Sequence, residues 1–313
     1  AGLLSRMIGF FYRIFLSHTI GAEGLGIYQL IFPIYALTFS LTVAGIQSAI
    51  SRYVAAVSIR NPAAAHPDRR PGSITYLYAG LALSLLLSFL CTFFLYRYAE
   101  ALALYVLKES RCVPLLKILS FTVPFGAVHA CINGYYYGLQ KTSVPAVSQL
   151  LEQLARVGGV YLMYCVASEQ GKPVTIEMAV WGLVIGEIVS VLYSVTFTRF
   201  HASRGGLSSA VGQLITMAAP LTVSRVLINL FQSAEAILIP GKLQDFGYRA
   251  DEALSVYGVL TGMAMPMILF PAAIANSVSV MLLPAISEAQ AKQDLVYIKK
   301  AVKKSCFYCL VLG

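Results

Sequence analysis

Apolar runs long enough to cross a lipid bilayer recur along the whole chain, separated by short polar stretches. About twenty apolar residues in helical conformation span the hydrocarbon core, so each run predicts a transmembrane helix. We predict eight spans and the start of a ninth, at about residues 3–20, 27–57, 74–96, 113–138, 143–167, 176–198, 211–239, 255–286 and from 305. The pattern therefore predicts an all-α polytopic membrane protein.

The first two predicted spans flank a run of small residues at 21–26, with the sequence G-A-E-G-L-G. Such a run predicts a hinge between two helices, because glycine tolerates backbone angles that other residues avoid. Pro33, Pro124, Pro266 and Pro271 lie inside predicted spans. Proline kinks a helix and frees backbone polar groups, which is tolerated in a membrane beside other protein or a cavity.

Composition and charge agree with a membrane protein whose N-terminus is cytoplasmic. Of the 313 residues, 58% are hydrophobic and 12% are charged, against about 25% charged in soluble domains. The loops after even-numbered spans hold eleven lysines and arginines and the other loops hold six, and basic loops favour the cytoplasmic side. The net charge is +9, but no polar segment alternates basic and aromatic residues. No nucleic-acid partner is therefore predicted.

Short internal repeats suggest two halves. The segment L-S-R-M-I in span one is echoed by V-S-R-V-L in span seven, and A-I-S closes both span two and span eight. Spans one and seven cross in the same direction, as in transporters with parallel repeats. We therefore predict an N-terminal lobe at 1–200 and the start of a C-terminal lobe at 201–313.

Two arginines in span one are candidates for ligand binding. Arg6 and Arg13 are seven residues apart, so they share one helix face. Arginine at the centre of a membrane span costs roughly 2.5–3.5 kcal/mol on insertion scales and normally faces protein or water. We predict a cationic cavity lining; the alternative is that both side chains extend to the two headgroup layers. Arg52, near the cytoplasmic end of span two, is a further candidate.

Span seven carries a polar stripe at helical spacing, formed by Thr222, Arg225, Asn229 and Gln232. Arg225 lies near mid-depth, which favours a substrate-binding cavity lined by Arg225, Asn229 and Gln232. The alternative is a polar seam that joins neighbouring helices.

Three glutamates are candidates for ion coupling: Glu152, Glu187 and Glu235. Glu152 and Arg156 are four residues apart, so they can instead form a self-neutralised pair on one helix face. Glu187 and His129 are lone ionisable groups at mid-depth, and each can bind a proton or cation or simply bond to a neighbouring helix.

The surplus of intramembrane arginines predicts an anionic cargo, because guanidinium groups bind phosphate oxygens in pairs of hydrogen bonds. A lipid-linked pyrophosphate fits, since its tail can remain among membrane lipids. The sequence has no phosphate-binding loop, metal-ligand cluster or nucleophile triad. Cys306 and Cys309 have a metal-like spacing but lie in an apolar run without partner ligands. We thus predict no catalytic residues, metal or cofactor, and buried reduced thiols.

Four segments resemble one family of membrane proteins. They are S-R-M-I-G-F from Ser5, I-G-A-E-G-L-G-I-Y-Q-L-I-F-P-I-Y from Ile20, G-Y-Y-Y-G-L-Q-K-T-S-V-P-A-V-S-Q-L-L-E-Q from Gly134 and A-P-L-T-V-S-R from Ala219. The family is that of stage V sporulation protein B, which is similar to lipid II flippases and lies in the multidrug/oligosaccharidyl-lipid/polysaccharide export superfamily.

The resemblance implies a two-lobed helix bundle in the bacterial cell membrane, of which this chain is the first lobe and the start of the second. It also implies alternating-access flipping of an undecaprenyl-pyrophosphate-linked sugar, lipid II in particular, in spore cortex synthesis. Two other functions remain open: a cation-coupled multidrug exporter of the same superfamily, which predicts an acidic cavity, and a non-transporting partner of a cell-wall synthase, which predicts dispensable arginines.

Overall fold

The computed structural model describes residues 2–60, 72–200, 206–269 and 293–312, and its regular elements are all helical within these ranges. The helices are α1 (Gly2–Leu30), α2 (Phe32–Phe39), α3 (Gly45–Arg60), α4 (Ser73–Arg97), α5 (Ala99–Ala101), α6 (Cys112–Ser120), α7 (Thr122–Gly138), α8 (Ser143–Glu169), α9 (Ile176–Phe197), α10 (Leu207–Asp245), α11 (Ala250–Val259), α12 (Met265–Ile268) and α13 (Leu295–Leu312). Single π-helical turns at Ser40–Ala44, Leu102–Val106 and Leu260–Ala264 join some of them. The all-α prediction is confirmed.

The predicted hinge is narrower than the small-residue run that suggested it. The helical backbone of α1 breaks only at Gly21, with φ 74° and ψ 175°, and it is helical again from Ala22 to Leu30. A positive φ is accessible to glycine without a steric penalty. Gly24 and Gly26 are therefore not hinge residues.

Gly26 is needed for close helix packing. The second half of α1 packs against α11, where a Cβ atom on Gly26 would overlap the carbonyl oxygen of Leu254. On the facing helix, a Cβ atom on Gly258 would lie 2.5 Å from the carbonyl oxygen of Ala22. Small residues at membrane helix interfaces let two backbones approach in this way.

Substituting Gly26 by alanine is expected to destabilise the protein by about 2 kcal/mol, because the backbone cannot yield to the added methyl group as a side chain would. Gly212→Ala is the matched control, since Gly212 lies in α10 and, apart from the backbone of its own helix, no atom of the described residues lies within 4 Å of its Cβ position. Thermal unfolding in detergent measures both. An equal melting temperature for the two variants would contradict the close α1–α11 contact.

Stripes of small residues also set the packing of α7 and α9. Gly126, Ala130, Gly134 and Gly138 follow one another every four residues on α7, as do Gly182, Gly186, Ser190 and Ser194 on α9, and all eight are buried. A Cβ atom on Gly186 would lie 2.8 Å from the carbonyl oxygen of Glu152, so α9 approaches α8 closely at this depth. This contact places Glu187 beside Glu152.

An ion-pair cluster holds the segment after the hinge against the loop that precedes α6. Arg111 Nη1 donates to Glu23 Oε1 at 2.7 Å and Arg111 Nε donates to Glu109 Oε1 at 2.8 Å. Burial opposes ionisation of Glu109, but the hydrogen bonds from Arg111 outweigh it and hold the pKa of Glu109 below its ordinary value. These ion pairs hold Glu23 near the start of α6.

Four helical stretches among the described residues are long and apolar enough to cross a membrane: Met7–Val57, Ser73–Arg97, Ile176–Phe197 and Leu207–Asp245. A fifth is added if α6 and α7, bent by 42° relative to each other, form one span. The first stretch contains two predicted spans, separated by the break at Gly21. Helix α8 is not among these stretches, because Glu152 and Arg156 lower its mean hydropathy. The predicted number of spans stays a prediction, and predicted span eight continues beyond the described residues.

The two predicted lobes contact each other within the described residues. Helix α10, the first of the predicted C-terminal lobe, packs against α2, α3 and α4, and α11 packs against α1. A hydrogen bond from Asn229 to Ser40 Oγ, and one from Ser233 Oγ to the carbonyl oxygen of Pro33 at 3.3 Å, link α10 to the segment of α2. The division near residue 200 stays a prediction.

Candidate functional site

A cavity of about 350 Å³ lies between α1, α8 and α12, and we call it the arginine cavity. Arg13 from α1 and Arg156 from α8 both line it. The ring of Phe15 packs against Tyr161 and Tyr164, with centroid separations of 6.1 and 5.5 Å, and holds α1 against α8 at this level. The other polar residues in its described lining are Ser5, Tyr12, Tyr28, Gln29, Gln149 and Gln153.

The arginine cavity carries a net positive charge. Arg156 forms an ion pair with Glu152, as its i,i+4 spacing suggested. Arg13 is half-buried and forms no ion pair with any described carboxylate. Two further buried donors, Arg156 Nε and Ser5 Oγ, have no hydrogen-bond partner among the described residues. Because buried donors are normally satisfied, these atoms indicate a cavity complementary to an acceptor-rich ligand or water.

A second cavity of about 240 Å³ lies between α2, α3, α7, α8 and α9, and we call it the histidine cavity. Its ionisable lining residues are His129, Glu152 and Glu187, and Gln149 lines both cavities. One ligand-type atom from each of these three ionisable residues lies within 4.8 Å of the other two. The sequence predicted no such cluster, because its members come from three different helices.

His129 is at the centre of a buried hydrogen-bond network. Its Nδ1 lies 3.3 Å from Glu187 Oε2 and 3.2 Å from Ser190 Oγ, and its Nε2 lies 3.0 Å from Ser148 Oγ. Tyr35 donates its hydroxyl proton to Glu187 Oε1 at 3.2 Å. His129 and Glu187 are each 7% exposed. Both groups are therefore bonded to neighbouring helices and also face a cavity.

The other candidate residues with described side chains do not line either cavity. Arg52 is exposed on α3, and Arg225, Gln232 and Glu235 are exposed on α10. Asn229 donates a hydrogen bond to Ser40 Oγ and so belongs to the polar seam that the sequence offered as the alternative. The backbone of Arg6 lies in α1, but its side chain is outside the description. A ligand-binding or ion-coupling role for these residues stays a prediction.

Sequence reasoning missed the full polar face of α8. Gln149, Glu152, Gln153 and Arg156 follow the spacing i, i+3, i+4 and i+7, which is the signal of a polar helix face and was available in the sequence.

The prediction of buried thiols holds for Cys112 and Cys131, but it is wrong for Cys306, which is exposed on α13.

Comparison with curated proteins relates the chain to membrane and sporulation proteins. Stage V sporulation protein B of Bacillus subtilis is 30% identical over 324 residues, a match that covers 100% of this chain and 61% of that protein. Lipid II flippase MurJ of Bacillus subtilis is 21% identical, with 91% of this chain and 56% of that protein covered. The chain thus spans about three-fifths of the length of these relatives.

Comparison with solved structures shows the fold. A multidrug resistance MATE family transporter of the MOP superfamily, in an inward-facing conformation, superposes with a TM-score of 0.63 at 14% identity, covering 99% of this chain and 67% of that one. At the level of sequence, the family of polysaccharide biosynthesis proteins matches residues 1–290. With that match over most of its length, the chain belongs to the polysaccharide biosynthesis protein family.

Proposed function

We propose that this protein is a multi-pass transporter of the bacterial cell membrane that flips a lipid-linked sugar pyrophosphate to the outer leaflet by alternating access. The observation that carries the proposal is the half-buried guanidinium of Arg13, which has no described carboxylate partner and faces a polar cavity within the helix bundle. A half-buried guanidinium without a carboxylate partner favours an anionic ligand in the cavity. The name of one relative, a lipid II flippase, supports this cargo.

The chemistry of the cavity matches the two parts of such a headgroup. Arg13 and the unpartnered Nε of Arg156 supply donors for pyrophosphate oxygens, which accept charge-assisted hydrogen bonds. Gln29, Gln149 and Gln153 offer amide donors and acceptors for sugar hydroxyls. A volume of about 350 Å³ is at the lower end for ligand cavities, so it fits the pyrophosphate and the first sugar. The polyprenyl tail remains among membrane lipids.

In this proposal the N-terminus is cytoplasmic and the cargo is lipid II or a close relative. No step breaks or forms a covalent bond, so the protein acts as a transporter and not as an enzyme. Arg6, seven residues before Arg13 in the sequence, also binds the headgroup, and Arg225, Asn229 and Gln232 of α10 contact it at another stage of the transport cycle. Arg52 attracts the anionic headgroup at the cytoplasmic entrance.

A reconstituted flipping assay tests the proposal. We expect full-length protein in liposomes to translocate lipid II at least tenfold faster than protein-free liposomes. A sugar linked to undecaprenyl through a single phosphate should be translocated more slowly, because it offers one phosphate instead of two to Arg13 and Arg156. Export of a cationic dye without lipid II flipping would instead support the multidrug exporter, and no transport of either would favour the non-transporting partner.

A further inference from the structure

The hydrogen-bond network around His129 accommodates the imidazolium form of its side chain. A serine hydroxyl has a single proton to donate. Ser148 Oγ donates to the carbonyl oxygen of Pro145 at 3.0 Å, and Ser190 Oγ donates to the carbonyl oxygen of Glu187 at 2.9 Å. When their protons are used in this way, both hydroxyl oxygens face His129 as acceptors.

Both ring nitrogens of His129 consequently face acceptors. Nε2 faces Ser148 Oγ at 3.0 Å, and Nδ1 faces Ser190 Oγ at 3.2 Å and the Glu187 carboxylate at 3.3 Å. A neutral imidazole has one protonated nitrogen and one lone pair, and here the lone pair would point at an oxygen lone pair. The imidazolium form, with both nitrogens protonated, satisfies every contact.

The surrounding charges favour a single added proton over a metal ion. Glu152 is already paired with Arg156, so the charge of Glu187 is left to be compensated by His129. A metal ion would share Glu152 with the guanidinium of Arg156, so its positive charge would be repelled at this site. Among the described residues, the other groups that face the site are uncharged: Tyr35 on α2, Gln47 on α3, Asn133 and Tyr137 on α7 and Gln149 on α8.

The histidine cavity provides room for water beside the proton site. It borders His129 and Glu187 directly and measures about 240 Å³, enough for several water molecules. Asn133 Oδ1 lines the same cavity and is buried without a hydrogen-bond partner among the described residues, which indicates a site for water.

Arg156 connects this site with the arginine cavity. Its guanidinium lines the arginine cavity while it pairs with Glu152, whose carboxylate lies within 4.8 Å of Glu187 and His129. When His129 loses its proton, two carboxylates compete for one guanidinium and hold Arg156 more strongly. When the proton returns, Arg156 is freer to bind an anion in the arginine cavity. Proton and anion would thus strengthen each other's binding, since coupling between two sites is reciprocal.

We propose that His129 and Glu187 form a proton-binding site, and that the proton it takes up is the coupling ion for transport. The proton resides on His129 Nδ1 in its hydrogen bond to Glu187 Oε2, with Nε2 also protonated. The coupling step rests on the proposed flippase function, whereas proton binding does not.

Nitrogen NMR of the full-length protein with ¹⁵N-labelled histidine tests proton binding. At pH 7.5 an ordinary imidazole, with a pKa of about 6.5, is about nine-tenths neutral. We expect His129 to show two protonated ring nitrogens at this pH, and Glu187→Gln to convert it to the neutral form. The His129→Gln spectrum assigns the signal, because the chain has four histidines. A neutral His129 in the wild-type protein would overturn the proposal.

Flipping in liposomes without a membrane potential tests the coupling. We expect an imposed pH gradient to change the wild-type rate about tenfold and to have no effect on Glu187→Gln or His129→Gln. Glu169→Gln makes the same chemical change at the exposed end of α8 and should keep the full response. A wild-type rate that ignores the gradient, or a Glu187→Gln rate that follows it, overturns the coupling. If no protein flips lipid II, the flippase function fails while the NMR result still decides proton binding.

Discussion

Replacing Arg13 by alanine is expected to reduce lipid II flipping by about 10- to 100-fold. The guanidinium is half-buried, faces the arginine cavity and has no ion pair with a described carboxylate. A hydrogen bond to a charged group contributes about 1.5–3 kcal/mol, which corresponds to this range of rates. The loss should appear in the initial rate of translocation in liposomes at equal protein content.

Two further variants make the Arg13 result specific. Arg13→Lys should retain part of the activity, because an ammonium keeps the charge but cannot form the paired hydrogen bonds of a guanidinium. Arg97→Ala removes an exposed arginine at the end of α4, where its guanidinium lies 5.8 Å from the ring of Tyr98, and should flip at the wild-type rate. Wild-type flipping by Arg13→Ala would mean that the arginine cavity does not hold the pyrophosphate.

Replacing Arg156 by methionine is expected to lower the free energy of unfolding by about 3 kcal/mol, at the lower end for broken buried pairs, because the partly buried Glu152 is left as an uncompensated charge. Glu152 is the residue left without its partner, and its carboxylate lies within 4.8 Å of that of Glu187. Methionine is close to arginine in length and is apolar, so the loss reports on charge more than on packing. Unfolding of the purified protein in mixed detergent micelles provides the measurement.

A double-mutant cycle separates the charge effect from other causes. The variant with both Glu152→Gln and Arg156→Met should recover about 2 kcal/mol relative to Arg156→Met, since no unpaired carboxylate remains at position 152. Additive effects of the two substitutions would show that the pair contributes no coupling energy. The same variants report on transport, because Arg156 also lines the arginine cavity.

The sequence predicted that the secondary structure is helical and which helix positions are polar, because both depend on local periodicity. The spacing of Arg6 and Arg13, the i,i+4 pair of Glu152 and Arg156 and the glycine at the hinge could all be read from neighbours along the chain. The hinge was placed correctly but too broadly, since a run of glycines does not reveal which one bends and which one packs. Gly21 bends, whereas Gly26 contacts α11.

The sequence by itself determined that this protein is a bundle of membrane helices with ionisable groups at depth, because hydrophobicity and charge are properties of each residue. Only the tertiary structure decided which of those groups meet. Glu187, Glu152 and His129 lie on three helices, and the glycine stripes of α7 and α9 bring them together by letting the backbones approach. The same packing places Arg13 beside Arg156 and leaves Arg225 exposed, since contacts between distant segments depend on how helix faces fit and not on local spacing.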